Sequence, residues 1–283
     1  MLNIFAAANR LVHAGAVCAL ALGLVGVGPL AAQGDLLIAP TRLVLDGRRG
    51  GEVILSNVGS EEATYRVELE LRRMTADGDL EPVDEAEASL AERAALEMIR
   101  YAPRRVTLPP NEPQAIRISA RPGAELPDGE YRVHMSFSAQ PRVRPVTADA
   151  AAAPANGGFS INIVPIYGIT MPIIVRKGEL SVVTGLANPR IEQTDAGPVF
   201  ALEIARSGTS SVYGDVLVYR QGSNEPLFVA RGLGVYPEIT ERRSAFLLSQ
   251  EQAAAMRGPV RVEFREPLQY GGDLIASLDA VLG

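Results

Sequence analysis

The sequence predicts an all-β protein: two antiparallel β-sandwiches in series behind a cleavable leader. Three observations predict it. The first 33 residues differ in character from everything after them. From Leu36 onward, short apolar-alternating runs are separated by turn residues, which is the pattern of half-buried antiparallel strands. Those runs fall into two series, each of the size and strand number of one immunoglobulin-like sandwich, with a Gly-containing junction near Arg176–Gly178.

The leader comes first. Arg10 is the only charged residue before Asp35, and an apolar, glycine-rich run beginning at Ala14 follows it. The run has the length of a signal-peptide core and falls short of the ~20 residues that a membrane span needs. Small residues at Ala31 and Ala32 place the cut between Ala31 and Gly34, so residues 1–33 are expected to be removed on export. An uncleaved N-terminal anchor is the competing reading. Cys18, the single cysteine, and His13 leave with the leader. The remaining chain then has no disulfide, no thiol chemistry and no cysteine-based metal site, and its lone histidine, His134, cannot form a multi-histidine one.

The first domain is expected over residues 34–176. Its strands begin with Leu36–Ala39 continuing into Arg42–Leu45, then Glu52–Asn57 and Thr64–Arg72, where Tyr65, Val67, Leu69 and Leu71 share a face. Glu85–Met98 is acidic and alanine-rich and reads as a loop with a short helix. Strands resume at Arg105–Leu108, Gln114–Ser119 and Tyr131–Phe137. Residues 140–158, with three prolines and an alanine run, read as a flexible loop before the domain's last strand. That strand opens the longest uncharged stretch after the leader, Phe159–Val175, whose first half alternates cleanly: Phe159, Ile161 and Ile163 on one face, Ser160 and Asn162 on the other. The second domain, residues 177–283, supplies seven strand signals in about 105 residues, the complement of one sandwich. Ser249, with Gln252 three residues on, marks a helix start.

Charge and motif narrow the function. Removing Arg10 leaves 27 − 1 = 26 basic against 33 acidic residues, a net charge of −7, opposite to the basic face of nucleic-acid binders. No phosphate loop and no nucleophile elbow occurs. The acidic residues Glu61 and Glu62, and Glu81, Asp84, Glu85 and Glu87, read as solvated loops. The expectation is a protein without catalytic residues, cofactor or metal.

Laid out in order, the strands resemble the periplasmic pilus-assembly chaperones of the PapD-like family. Pro40-Thr-Arg42-Leu-Val-Leu-Asp-Gly47 is similar to the family's opening strand, and Val53–Asn57 and Tyr65-Arg-Val67 to the next two. Tyr101-Ala-Pro103 through Gln114-Ala-Ile-Arg117-Ile is the most specific match, with a proline that in the family often follows a cis peptide bond. Leu126–Val133 resembles the segment holding a strand-opening glutamate, and Gln269-Tyr-Gly-Gly272 the family's Asn-Asp-Tyr-Gly-Gly turn. The resemblance runs over nearly the whole exported chain.

It implies a non-enzymatic periplasmic chaperone, not stably inserted in a membrane, whose partners are pilin-like subunits and an outer-membrane usher. A pilin lacks one strand of its sandwich, and the chaperone lends an edge strand to the gap; Phe159, Ile161 and Ile163 are the implied donor residues. Arg42 matches the arginine that grips the subunit's C-terminal carboxylate. The lysine that shares this task in the family falls near Thr170–Pro172, where no cation stands; the one lysine, Lys177, lies downstream. Arg117 and Glu130 match an interdomain ion pair whose third member, an aspartate, is replaced by Gln269. Two further readings stay open: an exported structural or adhesive surface protein, and an envelope-carbohydrate enzyme working through the acidic loop.

Overall fold

The computed structural model describes residues 36–141 and 167–283. The expected leader and the donor residues Phe159, Ile161 and Ile163 lie outside these. The first series of elements is β1 (Leu36–Ala39), β2 (Leu43–Leu45), β3 (Gly51–Asn57), β4 (Ala63–Glu70), β5 (Arg72–Met74), β6 (Leu80–Pro82), α1 (Leu90–Met98), β7 (Ile99–Ala102), β8 (Arg105–Leu108), β9 (Pro113–Ala120), β10 (Gly129–Gln140) and β11 (Gly168–Lys177). The second is β12 (Val182–Thr194), β13 (Gly197–Gly208), β14 (Val212–Arg220), β15 (Pro226–Val235), β16 (Glu241–Leu247), α2 (Gln250–Ala255), β17 (Gly258–Arg265) and β18 (Leu274–Leu282).

Two sheets, ordered β1-β3-β9-β7 and β2-β11-β10-β4-β8, face each other in the first sandwich. Their inward residues, among them Val53, Tyr65, Val67, Ile116, Val133, Phe137 and Ile173, form one core. The second sandwich packs sheet β12-β13-β16 against β15-β14-β17-β18 around Phe200, Ile204, Val216, Val262 and Phe264. In both, alternate residues of each strand point to the core, as period-two side-chain direction requires. The chain is all-β with two sandwiches, and passes from one to the other after β11 through Gly178, whose φ of +71° suits a residue without Cβ.

The structure departs from the expected elements in two places. The opening run is not one strand: β1 pairs with β3 in one sheet, and β2 runs parallel to β11 in the other. Pro40, between them, has no N–H to continue a ladder, so the chain changes sheets there; the Ala39–Pro40 and Ala102–Pro103 bonds are cis. The acidic stretch holds the expected short helix, α1, opened by a capping box in which Ser89 and Glu92 satisfy each other's backbone N–H groups. Ser249 and Gln252 form the same box at α2. The other departure is the hairpin of β5 and β6, which turns at Asp77-Gly78 with Gly78 at φ +86° and takes its support from outside. The Met74 N–H donates to Glu238 of the second sandwich at 2.8 Å. Beyond it, the Arg243 N–H donates to Ala76 O at 2.7 Å and the Arg243 guanidinium pairs with Asp77 at 2.9 Å.

Candidate functional site

Alternation places the site. On β10 the odd residues Tyr131, Val133, Met135 and Phe137 fill the first core, so Glu130, Arg132 and His134 point to the opposite face of that sheet. Cross-strand partners share a face. Register therefore sets Arg176 beside Glu130, Ile174 beside Arg132 and Pro172 beside His134. The parallel pairing of β2 adds Val44 beside Ile174 and brings Arg42, the residue two before it, level with Pro172. This polar face is not open to water. Ile174 clusters with Met74 and with Tyr236 of the second sandwich, and the two sandwiches meet here.

Arg42 is buried at this junction, with only 8% of its surface exposed. Its Nη2 donates to Ser211 Oγ at 3.0 Å and its Nη1 to the Tyr236 hydroxyl at 3.3 Å. The guanidinium lies 4.7 Å from the Tyr213 ring centre and 5.6 Å from that of Tyr236. Among the described residues it has no ion-pair partner. A buried cation held only by neutral acceptors and ring faces keeps an unmatched charge, an arrangement that favours an incoming anion. A guanidinium is also shaped to take a carboxylate through two parallel bonds.

Glu130 sits next to this arginine, its side chain wholly buried. Its Oε2 accepts from Arg176 Nε at 3.2 Å, from the Ser211 N–H at 3.1 Å and from Ser211 Oγ at 2.9 Å. The expected Arg117–Glu130 pair is therefore corrected. Arg117 lies on β9, in the opposite sheet, on a face that points to solvent. Its partner is Glu52, its register neighbour on β3, at 3.3 Å. The two residues occupy different sheets of the sandwich, and chain order alone does not reveal that. Glu130 does tie the two sandwiches together, but through Ser211, while its ion-pair partner Arg176 belongs to its own sandwich. Gln269 sits in an exposed turn at Leu268–Tyr270.

The neighbouring positions are structural. Arg132 stacks on the Tyr236 ring at 3.5 Å, pairs with Glu238 and donates to Arg72 O at 2.9 Å. His134 is 1% exposed, and neither ring nitrogen has a partner among the described residues. Burial, and then the nearby Arg132 and Arg72 cations, push its pKa down to about 3, so it stays neutral near pH 7. No cation stands at Thr170–Pro172. Lys177 spends its ammonium on the carbonyls of Ala124 and Leu126.

The edge of β11 is the second feature. β2 covers only Ile173–Val175. Over Gly168–Pro172 no described strand pairs with the outer edge of β11, while its inner edge is bonded to β10. The Ala139 N–H donates to Tyr167 O, so by antiparallel alternation the N–H and C=O groups of Gly168 and Thr170 face outward, as does the C=O of Pro172. Met171, Ile173 and Val175 are buried in the core, but Ile169 and Tyr167, on the same face, are 40% and 55% exposed. In sequence, Ile163, Ile161 and Phe159 continue that odd-numbered apolar series.

The acidic residues Glu81, Asp84, Glu85 and Glu87 are exposed, and Asp84 caps a single 3₁₀ turn. Among the described residues no cluster suited to a metal ion occurs, and no helix is long and apolar enough to cross a membrane. Sequence reading found Arg42 but missed Ser211, Tyr213, Tyr236, Glu238 and Arg206. One signal was available: the Glu130, Arg132, His134 series alternates with core residues and is too costly to bury without partners, which pointed to a covered polar face.

No protein-family model matches the chain, and no curated protein matches it in sequence. Solved structures similar to it include the YadV chaperone, at 12% identity over 88% of this chain and 100% of that one, TM-score 0.46. A chain of the CsuC–CsuE chaperone–tip subunit pre-assembly complex of Acinetobacter baumannii is 10% identical over 88% of this chain and 99% of that one, TM-score 0.45. A chain of the Salmonella enterica SafA pilin–SafB chaperone complex is 15% identical over 87% and 96%, TM-score 0.43.

Proposed function

We propose that this protein is a periplasmic chaperone that lends a β-strand to pilin-like subunits, keeps them from aggregating and delivers them to an outer-membrane usher. The half-covered β11 carries the reading. One half of the strand is locked between β10 and β2, and the other half offers backbone groups that no described strand pairs, beside exposed apolar side chains. Such an edge is a template for strand addition. The odd-numbered series from Phe159 to Ile169 extends it with side chains at the spacing that fills alternate pockets of an incomplete sandwich. Each aliphatic side chain so buried contributes roughly 1.5–3 kcal/mol before ordering costs. Arg42, buried at the junction with no counter-charge among the described residues, supports capture of the subunit's terminal carboxylate. Export and the usher rest on the leader and on the family resemblance.

The test replaces Ile161 and Ile163 together with glutamate. Co-expressed subunits should no longer co-purify from the periplasm with the variant, while its thermal midpoint stays that of the parent. Undiminished capture would overturn the donor strand.

A further inference from the structure

We propose that the carboxylate site is built by both sandwiches: Ser211, in the turn between β13 and β14, orients the Arg42 guanidinium without neutralising it. This rests on the reading that Arg42 grips a subunit's C-terminal carboxylate, and it assigns Ser211 as a positioning residue for that contact.

Hydrogen-bond chemistry fixes which way the hydroxyl works. A guanidinium can only donate and an ionised carboxylate can only accept. Ser211 Oγ lies 3.0 Å from Arg42 Nη2 and 2.9 Å from Glu130 Oε2. Its single proton therefore goes to Glu130 and a lone pair faces Arg42. The bond to Glu130 polarises the hydroxyl and strengthens its acceptance from the arginine. Glu130 meanwhile takes its own counter-charge from Arg176 at 3.2 Å and is held to the turn by the Ser211 N–H. The Glu130 carboxylate is thus already matched, and is linked to Arg42 through a neutral hydroxyl. Tyr236 supplies the second neutral acceptor. The guanidinium is fixed in direction while its charge remains available.

One buried group holds both acceptors in place. Arg206 donates to Gly208 O at 2.9 Å and Ser210 O at 2.8 Å, on the turn that ends at Ser211. It also donates to Pro237 O at 3.2 Å and Ile239 O at 3.3 Å, immediately after Tyr236. Gly208, at φ +107°, passes so close to Ser181 that a Cβ there would strike the Ser181 carbonyl. The separation of the two hydroxyls is therefore set within the second sandwich and presented to an arginine of the first.

The probe is a synthetic peptide of alternating valine and serine with a free C-terminal carboxylate, compared with the same peptide amidated. Calorimetric titration of the full exported chain reads the affinity ratio. The parent protein should prefer the carboxylate, and Ser211→Ala should lose about tenfold of that preference, the size of one charge-assisted hydrogen bond. Tyr236→Phe should lose a similar share, since the ring that stacks on Arg132 is kept. Ser211→Thr, which retains the hydroxyl, should restore the preference, an outcome a merely structural role does not predict. A parent that prefers the carboxylate beside a Ser211→Ala variant with the same preference would overturn the positioning role alone. A parent indifferent to amidation, or binding neither peptide, would overturn the Arg42 anchor and this inference with it.

Discussion

Acid should destabilise this protein through His134, and the size of the effect follows from its surroundings. The imidazole is buried on the outer face of β10, beside Pro172 of β11 and Glu70 of β4. Two cations act on it, Arg132, which is paired with Glu238, and Arg72, which is paired with Glu70. Its folded pKa is about 3 against 6.5 unfolded. Between these values the unfolded chain carries a proton at this site that the folded chain does not. Stability is therefore fully present above pH 6.5 and is lost as pH falls toward 3. At about pH 4.5, two units below the unfolded value and at about 1.4 kcal/mol per unit, the loss is about 2.5–3 kcal/mol. Urea unfolding followed by far-UV circular dichroism suits a chain without tryptophan. Run from pH 7.5 to 4.5, it should show this loss in the parent and its absence in His134→Leu, which also removes two unpartnered polar atoms and should not weaken the fold at pH 7.5. Glu92, held at about 2 by the Arg73 guanidinium, adds its loss only below its unfolded pKa of 4.5 and is common to both proteins. Equal slopes in parent and variant, or a parent that gains stability on acidification, would refute the reasoning.

Glu238→Ala should cost about 2–3 kcal/mol, since it strips a buried arginine of its counter-charge while the carboxylate itself is partly solvated. Thermal unfolding should fall accordingly, and solution scattering should broaden as the hairpin of β5 and β6 loses its main tether. The corrected ion pair has a direct contrast. Arg117→Ala, at a solvent-exposed pair with Glu52, should change stability by less than about 0.5 kcal/mol. Glu130→Ala, which leaves the buried Ser211 N–H and hydroxyl without their acceptor while Arg176 stays solvated, should cost about 1–3 kcal/mol; similar effects from the two would contradict the assignment.

The layered architecture was legible because each core strand alternates, and alternation survives any tertiary context that buries one face. Strands β3, β4, β9, β10 and β13–β18 needed nothing more. The hairpin of β5 and β6 was not legible: Arg72-Arg-Met74 and Leu80-Glu-Pro82 are too short and too charged to hold a hairpin alone, and their stability is borrowed from Glu238 and Arg243, more than 150 positions away. β12 runs on through Asn188-Pro189 because a register shift there absorbs the proline. Arg42 was visible through a resemblance in its local motif, whereas its partners lie in turns of the other sandwich with no motif at all. Glu130 was identified and given the wrong partner for the same reason: which sheet a residue joins is decided by topology.

If the proposed function holds, the open half of β11 and Arg42 belong to one device. An exposed edge invites self-association, and proteins usually blunt it with prolines, charges or a covering element. Here the protection is graded. Over Ile173–Val175 the edge is covered by β2. At Pro172 the outward donor is missing, which lets an edge strand accept a proline. Beyond it, at Thr170 and Gly168, outward donors and acceptors are intact and no charge interrupts them. Arg42 lies level with Pro172, where cover gives way to open edge. A chain pairing with that edge in either direction, and ending there, would bring its terminal carboxylate beside the guanidinium. On the proposed function, the arginine would fix where such a chain must stop, and so the register of every side chain it lays along the strand; a one-residue slip would turn them all to the wrong face. In that proposal the anchor would contribute specificity of register as well as affinity.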